Sequence, residues 1–354
     1  MTKLRGIILL SALLKWYITC LVILADRPAP QTFGSVLSLG FEAGMACGQI
    51  TGPLHILLAK SFEWPDSLPL TVFYGDVYQA FDHLRPSEVA ASMNRRGMHP
   101  RLAAALLREG CEGLMEVLLF DNAPIGDDLC FNSCERTGST DAPFKWKCLM
   151  ADALKDAVPR WVEEELGVWI GNRRWTHLLW ADNIYLLARG DRQAMHMAQI
   201  FTQHLERRRL YWKPSSLGML SRTADITEEE WEDLPLAAAG SSRQHCLRAW
   251  DPDRHEHRDL VVPKVTETVQ LGVKMNGFGD TNAAMRERIR LGQAAFFNDP
   301  YLRSTSLSRR GRMQRYRERV MPVLTDGADG WILNATSLKR LYQLEGGFLR
   351  KLTR

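Results

Sequence analysis

Residues 71–84, TVFYGDVYQAFDHL, constrain the fold most, because they bring a carboxylate to the end of a strand that has to be buried. Val72, Phe73 and Tyr74 form a β-branched and aromatic run, Gly75 permits close approach of another segment, and Asp76 falls where the strand emerges. Val77, Phe81 and Leu84 then return at roughly helical spacing. A strand-end Asp taken alone is most often a helix cap or a turn former. A second stretch changes that balance. Residues 175–188, WTHLLWADNIYLLA, set two apolar arms around Ala-Asp-Asn and predict a hairpin. Asp and Asn tolerate left-handed backbone, so Asp182 and Asn183 are expected at its tip.

In order, the two stretches resemble motifs A and C of the reverse transcriptases of non-LTR (LINE-type) retrotransposons. Motif A there is an apolar strand, then Asp, three variable residues and Ala-Phe-Asp, here Asp76 to Asp82; motif C is an aromatic-Ala-Asp-Asp hairpin, here Trp180, Ala181, Asp182 and Asn183. Residues 134–144, CERTGSTDAPF, resemble motif B, with Thr137 in place of the family's Gln. Ala142 and Pro143 would start its helix, which runs through Phe144, Leu149 and Leu154. Residues 40–44 resemble a Gly-Phe-Arg-Pro-Gly turn with Glu42 where the family has Arg, and a helix over 50–62 follows. Residues 210–217 resemble the segment after motif C, with Lys213 as a displaced cation, and residues 265–273 a Tyr-Leu-Gly strand pair with Gln270 in the aromatic's place. Residues 5–17 resemble a fingers segment, so Met1 is expected to open inside the fingers, without any endonuclease domain before it.

The resemblance spans nearly the whole chain and implies an α+β fold of the right-hand polymerase type. Its palm would be an antiparallel sheet with packed helices, joined to partial fingers and a helical thumb-like C-terminal part. The expected divisions are 1–70 for partial fingers, 71–224 for the palm, 225–264 for an acidic and mixed insertion, 265–280 for a palm–thumb strand pair and 281–354 for the thumb-like region. The implied chemistry is RNA-directed DNA synthesis by two-metal nucleotidyl transfer from deoxynucleoside triphosphates. Asp76 and Asp182 would hold Mg²⁺, with Mn²⁺ as the alternative, beside Asn183 and the Val77 carbonyl. Tyr78, Thr137, Gly138 and Lys213 would meet the substrate, and Asp82 would be structural. An RNA template, a DNA primer and an RNA/DNA hybrid are the implied partners. Asn183, Thr137 and Glu42 depart from the pattern in ways that weaken catalysis. The alternative is a catalytically inactive retroelement remnant that only binds RNA or hybrid.

With 45% hydrophobic and 24% charged residues the composition is that of a globular protein. A net charge of +4 and a pI near 8.7 permit a polyanionic partner without demanding one. Local clusters say more. Arg95 and Arg96 close a predicted helix over 86–97, and Arg207, Arg208 and Arg209 close another. Seven arginines, among them Arg309, Arg310 and Arg312, face one acidic residue between 301 and 320. Such clusters are usually solvated surface, yet each suits a phosphate backbone. Asp191 is expected to cap a helix whose stripe is Ala194, Met197, Ala198, Phe201 and Leu205. Residues 241–259 mix His, Arg and Asp without evident periodicity, and beyond 281 the pattern is helical, with a core that includes Met285, Phe296, Val320, Leu338 and Leu349.

Seven cysteines at irregular spacing do not form a disulfide framework, and a reducing compartment fits them better. Cys130 with Cys134, and the looser set His245, Cys246, His255 and His257, are poor zinc patterns. Lys15 interrupts the apolar N-terminal run, so a helix packed on protein through Leu13, Leu14, Tyr17, Ile18 and Leu21 is expected rather than a signal peptide or membrane span. The oligomeric state is open.

Overall fold

Helices form where apolar residues return every three or four positions: α1 (Ala12–Asp26), α2 (Gly48–Lys60), α3 (Pro86–Arg95), α4 (Pro100–Cys111), α5 (Ala142–Glu163), α6 (Asp191–Arg207), α7 (Asn282–Asn298), α8 (Arg309–Arg319), α9 (Met321–Thr325) and α10 (Ala335–Thr353). The strands are β1 (Leu70–Asp76), β2 (Leu114–Met115), β3 (Leu129–Cys130), β4 (Val168–Ile170), β5 (Arg173–Trp175), β6 (His177–Trp180), β7 (Asn183–Arg189), β8 (Gly218–Leu220), β9 (His245–Asp251), β10 (Glu256–Val262), β11 (Lys264–Val265), β12 (Glu267–Gln270) and β13 (Val273–Asn276). The computed structural model describes residues 12–26, 40, 45–63, 70–111, 114–115, 129–130, 139–225, 244–304 and 306–353. Two units divide the chain: residues 1–44, 72–219 and 227–263 form one, and residues 45–71, 220–226 and 264–354 the other. Residues 45–63, expected with the N-terminal segment, therefore group with the C-terminal helices. Thr137, Gly138, Glu42 and the segment 5–11 lie outside the described residues.

In the first unit the sheet runs β8-β1-β7-β6, with β6 and β7 antiparallel. Buried rings tie this sheet to its helices. Phe73 of β1 meets Trp212 at 5.6 Å, Trp212 meets Phe201 of α6 at 6.0 Å, and Phe201 meets Trp161 of α5 at 5.9 Å. The indole of Trp212 donates to Thr202 Oγ1 at 2.8 Å, so its one polar atom is satisfied in the interior.

Helix α5 starts with Pro143 in its first turn, where the missing N–H costs nothing. It buries charge as well as apolar surface. Lys145 Nζ lies 2.7 Å from Asp141 Oδ2, both fully buried, and the Ser139 hydroxyl donates to the same carboxylate. Two turns beyond Lys145, Asp152 accepts from Arg95 and from Arg208. Burial alone would raise the Asp152 pKa, but these two guanidinium partners outweigh it and hold the carboxyl below its ordinary value.

Several expectations are corrected. The stretch read as aperiodic contains the β9–β10 hairpin, in which Leu247 pairs with Leu260 and both are buried with Ala249 and Val262 in the core. Its alternation is masked because charged and aromatic residues occupy the other face. The cap of α6 is Gly190, and Asp191 is the first helical residue, buried 3.3 Å from His245 Nε2. On α1 the buried residues are Ile18 and Ala25, while Leu13 and Tyr17 are exposed, so the packed face is rotated from the one expected.

The second unit contains the β12–β13 hairpin and a helical core. Phe296 stacks on Phe348 at 4.4 Å, and Tyr316, Val320 and Leu352 enclose the pair. Leu338, expected inside, is exposed on α10. Asn334 Oδ1, just before that helix, accepts from the Ser337 amide at 2.8 Å.

Each unit buries one histidine that burial keeps neutral. His177 and His55 both fall from 6.5 to about 4, with Asp280 partly opposing the shift at His55. The unfolded chain binds these protons near 6.5 and the folded chain does not until about 4, so stability declines as pH falls through that window and levels off below it. Asp152 adds a separate loss below its ordinary value of 3.8. Thermal unfolding midpoints measured against pH are expected to be flat above 7 and to drop between 6.5 and about 4. A flat profile across that window would mean the imidazoles are not held neutral.

Candidate functional site

The site forms where β1 ends beside the β6–β7 turn. The Val77 amide donates to Asp182 O at 3.2 Å, joining the two segments through main chain. On the opposite edge, Lys213 N donates to Asp76 O at 2.9 Å and Tyr78 N to Tyr211 O at 2.8 Å. In extended backbone a residue's N–H and C=O face the same edge, so the Val77 carbonyl is directed to the hairpin side. Asp76 N donates to Ser216 Oγ at 2.9 Å, which fixes where the strand stops.

Two close approaches use glycine, and at Gly40, which meets main chain, a Cβ has no room. A Cβ at Gly75 would lie 2.8 Å from Leu217 Cδ2 and 3.0 Å from the Trp212 ring, and one at Gly40 would collide with the Ala181 amide. Trp146 of α5 donates its indole N–H to Ala181 O at 2.9 Å. The hairpin turn is thus gripped from two sides.

Its register differs by one residue from the expectation. Asn183 pairs with Trp180 as the first residue of β7, and the turn consists of Ala181 and Asp182. Ala181, not Asn183, takes the left-handed conformation, with φ 54. Asp182 does occupy the turn, while the left-handed position falls to Ala181, whose main chain is closely packed by Gly40 and Trp146.

Asp76 and Asp182 come together electrostatically. The Asp76 carboxyl is raised above its ordinary value, first by burial and then by the Asp182 charge, while Lys213 works against both. Lys213 Nζ is 3.9 Å from Asp76 Oδ2 and half exposed. The donors brought together are hard oxygens, the Asp76 and Asp182 carboxylates with the Val77 carbonyl, and Asn183 follows as the first residue of β7. That set fits Mg²⁺, which is commonly held by one or two carboxylates together with substrate phosphates. Among the described residues no group of three or more His, Cys, Asp or Glu side chains could hold a metal ion by itself. Tyr78 follows Asp76 by two residues, and its hydroxyl donates to Asp253 Oδ1 at 3.1 Å.

The arginine clusters separate into two kinds. Arg208 is buried against Asp152 and Asp156, Arg96 donates to Cys148 O at 3.0 Å from a largely enclosed position, and Arg95 pairs with Asp152. Arg312 is also buried. Arg208 and Arg96 are engaged inside the fold, whereas Arg95 pairs with Asp152 while staying half exposed. Arg207, Arg209, Arg309 and Arg310 are exposed. A cluster in sequence cannot show which of its members turns inward. Ser216, Trp146, Gly40 and Asp253, which hold the site, were not singled out as site residues, because each acts on a segment distant in sequence.

No family model matches the chain, and no curated protein matches it. Solved structures of telomerase show a distant likeness. Telomerase from Candida albicans with a TWJ fragment of telomeric RNA has 7% identity over 96% of this chain and 51% of that chain, at TM-score 0.49. Apo telomerase from Candida tropicalis has 9% identity over 96% of this chain and 55% of that chain, at TM-score 0.48. The chain spans about half the length of these structures. Likeness at this level assigns neither fold nor activity. Among the described residues no helix is long and apolar enough to cross a membrane.

Removing Arg208 takes one of two guanidinium partners from the buried Asp152 and empties a buried position, so Arg208→Ala is expected to lower unfolding free energy by about 2 to 3 kcal/mol. The exposed Arg209→Ala should change it by less than about 0.5 kcal/mol. Denaturant titration of both variants checks the contrast, and equal effects would refute it.

Proposed function

We propose that the chain is a reverse-transcriptase-like polymerase of the non-LTR retrotransposon type, which adds deoxynucleotides to a DNA primer on an RNA template. The meeting of Asp76 and Asp182 at the Val77–Asp182 hydrogen bond is the observation that carries this reading. The order of motifs A, B and C supports it. Asp76 and Asp182 would hold divalent ions, Mg²⁺ or the substitute Mn²⁺, which activate the primer hydroxyl and neutralise the triphosphate. Asp76 has to lose its proton first, and its raised pKa makes that step pH-dependent. Lys213, already beside Asp76, is placed to pair with substrate phosphate instead. Tyr78 borders the same site and would meet the sugar of an incoming nucleotide. Thr137 and Gly138 would approach the template base by resemblance alone.

One observation favours a second reading, an inactive remnant that binds RNA or RNA/DNA hybrid. Asn183 offers an amide oxygen without charge, and Lys213 partly neutralises the carboxylate that remains. Both features weaken cation binding relative to three carboxylates.

Primer extension on an RNA template separates the two. Extension dependent on Mg²⁺ or Mn²⁺, abolished in Asp76→Ala and in Asp182→Ala and increased roughly tenfold in Asn183→Asp, is the expected result. A parent chain that folds and does not extend would leave the remnant reading standing. A Mn²⁺ titration of the parent checks the proton competition. Because a proton on Asp76 excludes the ion, affinity should rise with pH through the raised Asp76 pKa and then level off. Affinity independent of pH would remove Asp76 from the ligand set.

A further inference from the structure

A ladder of five partly exposed rings begins beside Asp76 and ends on the β9–β10 hairpin. Tyr78 and His83 have ring centroids 5.5 Å apart, His83 and Tyr211 6.3 Å, Tyr211 and Trp250 6.1 Å, and Trp250 and His257 5.3 Å. All five lie in the first unit. The Phe73–Trp212–Phe201–Trp161 series is sealed in the core, whereas each ring of this ladder reaches the surface. Its backbone is fixed: Tyr78 N is bonded to Tyr211 O, Trp250 N donates to Glu206 Oε1 at 2.7 Å, and Trp250 faces His257 across β9 and β10.

The charges around the rings are mixed. Arg85 stands near His83, and Arg209 and Arg254 are exposed on the segments that carry Tyr211 and Trp250. Asp82, Glu206 and Asp253 lie among the same rings. These carboxylates disfavour a phosphate cradle, and successive rings lie tilted or edge-on to one another, so an unpaired base would stack on the outward part of a ring rather than between two. A duplex hides its base faces and gains nothing from such a surface. Tyr78, two residues after Asp76, joins the ladder to the strand end that carries that carboxylate.

We propose that the Tyr78–His83–Tyr211–Trp250–His257 ladder is a stacking track for single-stranded nucleic acid leading from the Asp76–Asp182 site. The proposal rests on the polymerase reading for its direction, and its test does not depend on catalysis. Fluorescence anisotropy of a labelled oligouridylate and of a labelled duplex of equal length, each with the full chain in excess chelator, reads binding with divalent ions removed. Trp250→Ala and His257→Ala are each expected to weaken oligouridylate binding about tenfold, with Trp250→Phe within about twofold of the parent. Duplex binding should be weaker and unaffected by these changes. His257 is exposed, so His257→Ala keeps the test valid if Trp250→Ala lowers the unfolding midpoint. Affinities within about twofold of the parent in folded variants, or equal binding of duplex and single strand, would overturn the track. A chain that shows the losses but never extends a primer keeps the track and loses the polymerase; extension without the losses has the reverse meaning.

Discussion

One main-chain hydrogen bond, from the Val77 amide to the Asp182 carbonyl, sets the geometry on which the site depends. Side chains alternate along a strand, so a slip of one residue in β1 would turn the Asp76 carboxylate to the opposite face. Ser216, bonded to the Asp76 amide, and the Lys213 amide on the Asp76 carbonyl oppose such a slip from the other edge. The strand end is therefore held on both sides. The hairpin it meets is fixed equally closely by Gly40 and by the Trp146 indole.

Behind the site the chain carries an interior cost. Lys145 and Asp141 are buried together, and Asp152 sits between Arg95 and Arg208. Taking ion pairs out of water rarely yields net stability, since desolvation offsets most of the attraction. Their value is directional. Arg95 and Arg208 reach Asp152 from outside α5 and restrain how that helix is turned, and with it where Trp146 points, whereas Lys145 and Asp141 lie four residues apart on one segment and fix its first turn. That link runs from buried charge, through helix orientation, to the position of the hairpin turn.

Much of the site was legible in the sequence because it depends on local pattern. The apolar run before Asp76, the arms around Asp182, Pro143 opening α5 and the stripe on α6 all follow from period and turn chemistry. What escaped depends on contacts between distant segments. Nothing local distinguishes buried Arg208 from exposed Arg209, because the difference lies in Asp152, on another helix. The β9–β10 hairpin was hidden for a related reason. Its outward face carries Cys246, Arg248, Trp250 and His257, which obscure the alternation of Leu247, Ala249, Leu260 and Val262. The turn register was missed at one position, where the left-handed residue is the closely packed Ala181 rather than Asn183.

Ala181 keeps a left-handed backbone without being glycine, at φ 54. An L-residue with a Cβ holds that conformation at a cost of about 1 to 2 kcal/mol. The hairpin is thus under tension, and the indole and glycine contacts that restrain it act as a clamp on a loaded spring. A glycine substituted there would relax the spring and enlarge the set of shapes the turn explores, so the bend would become easier to form and less able to hold its aspartate in one place.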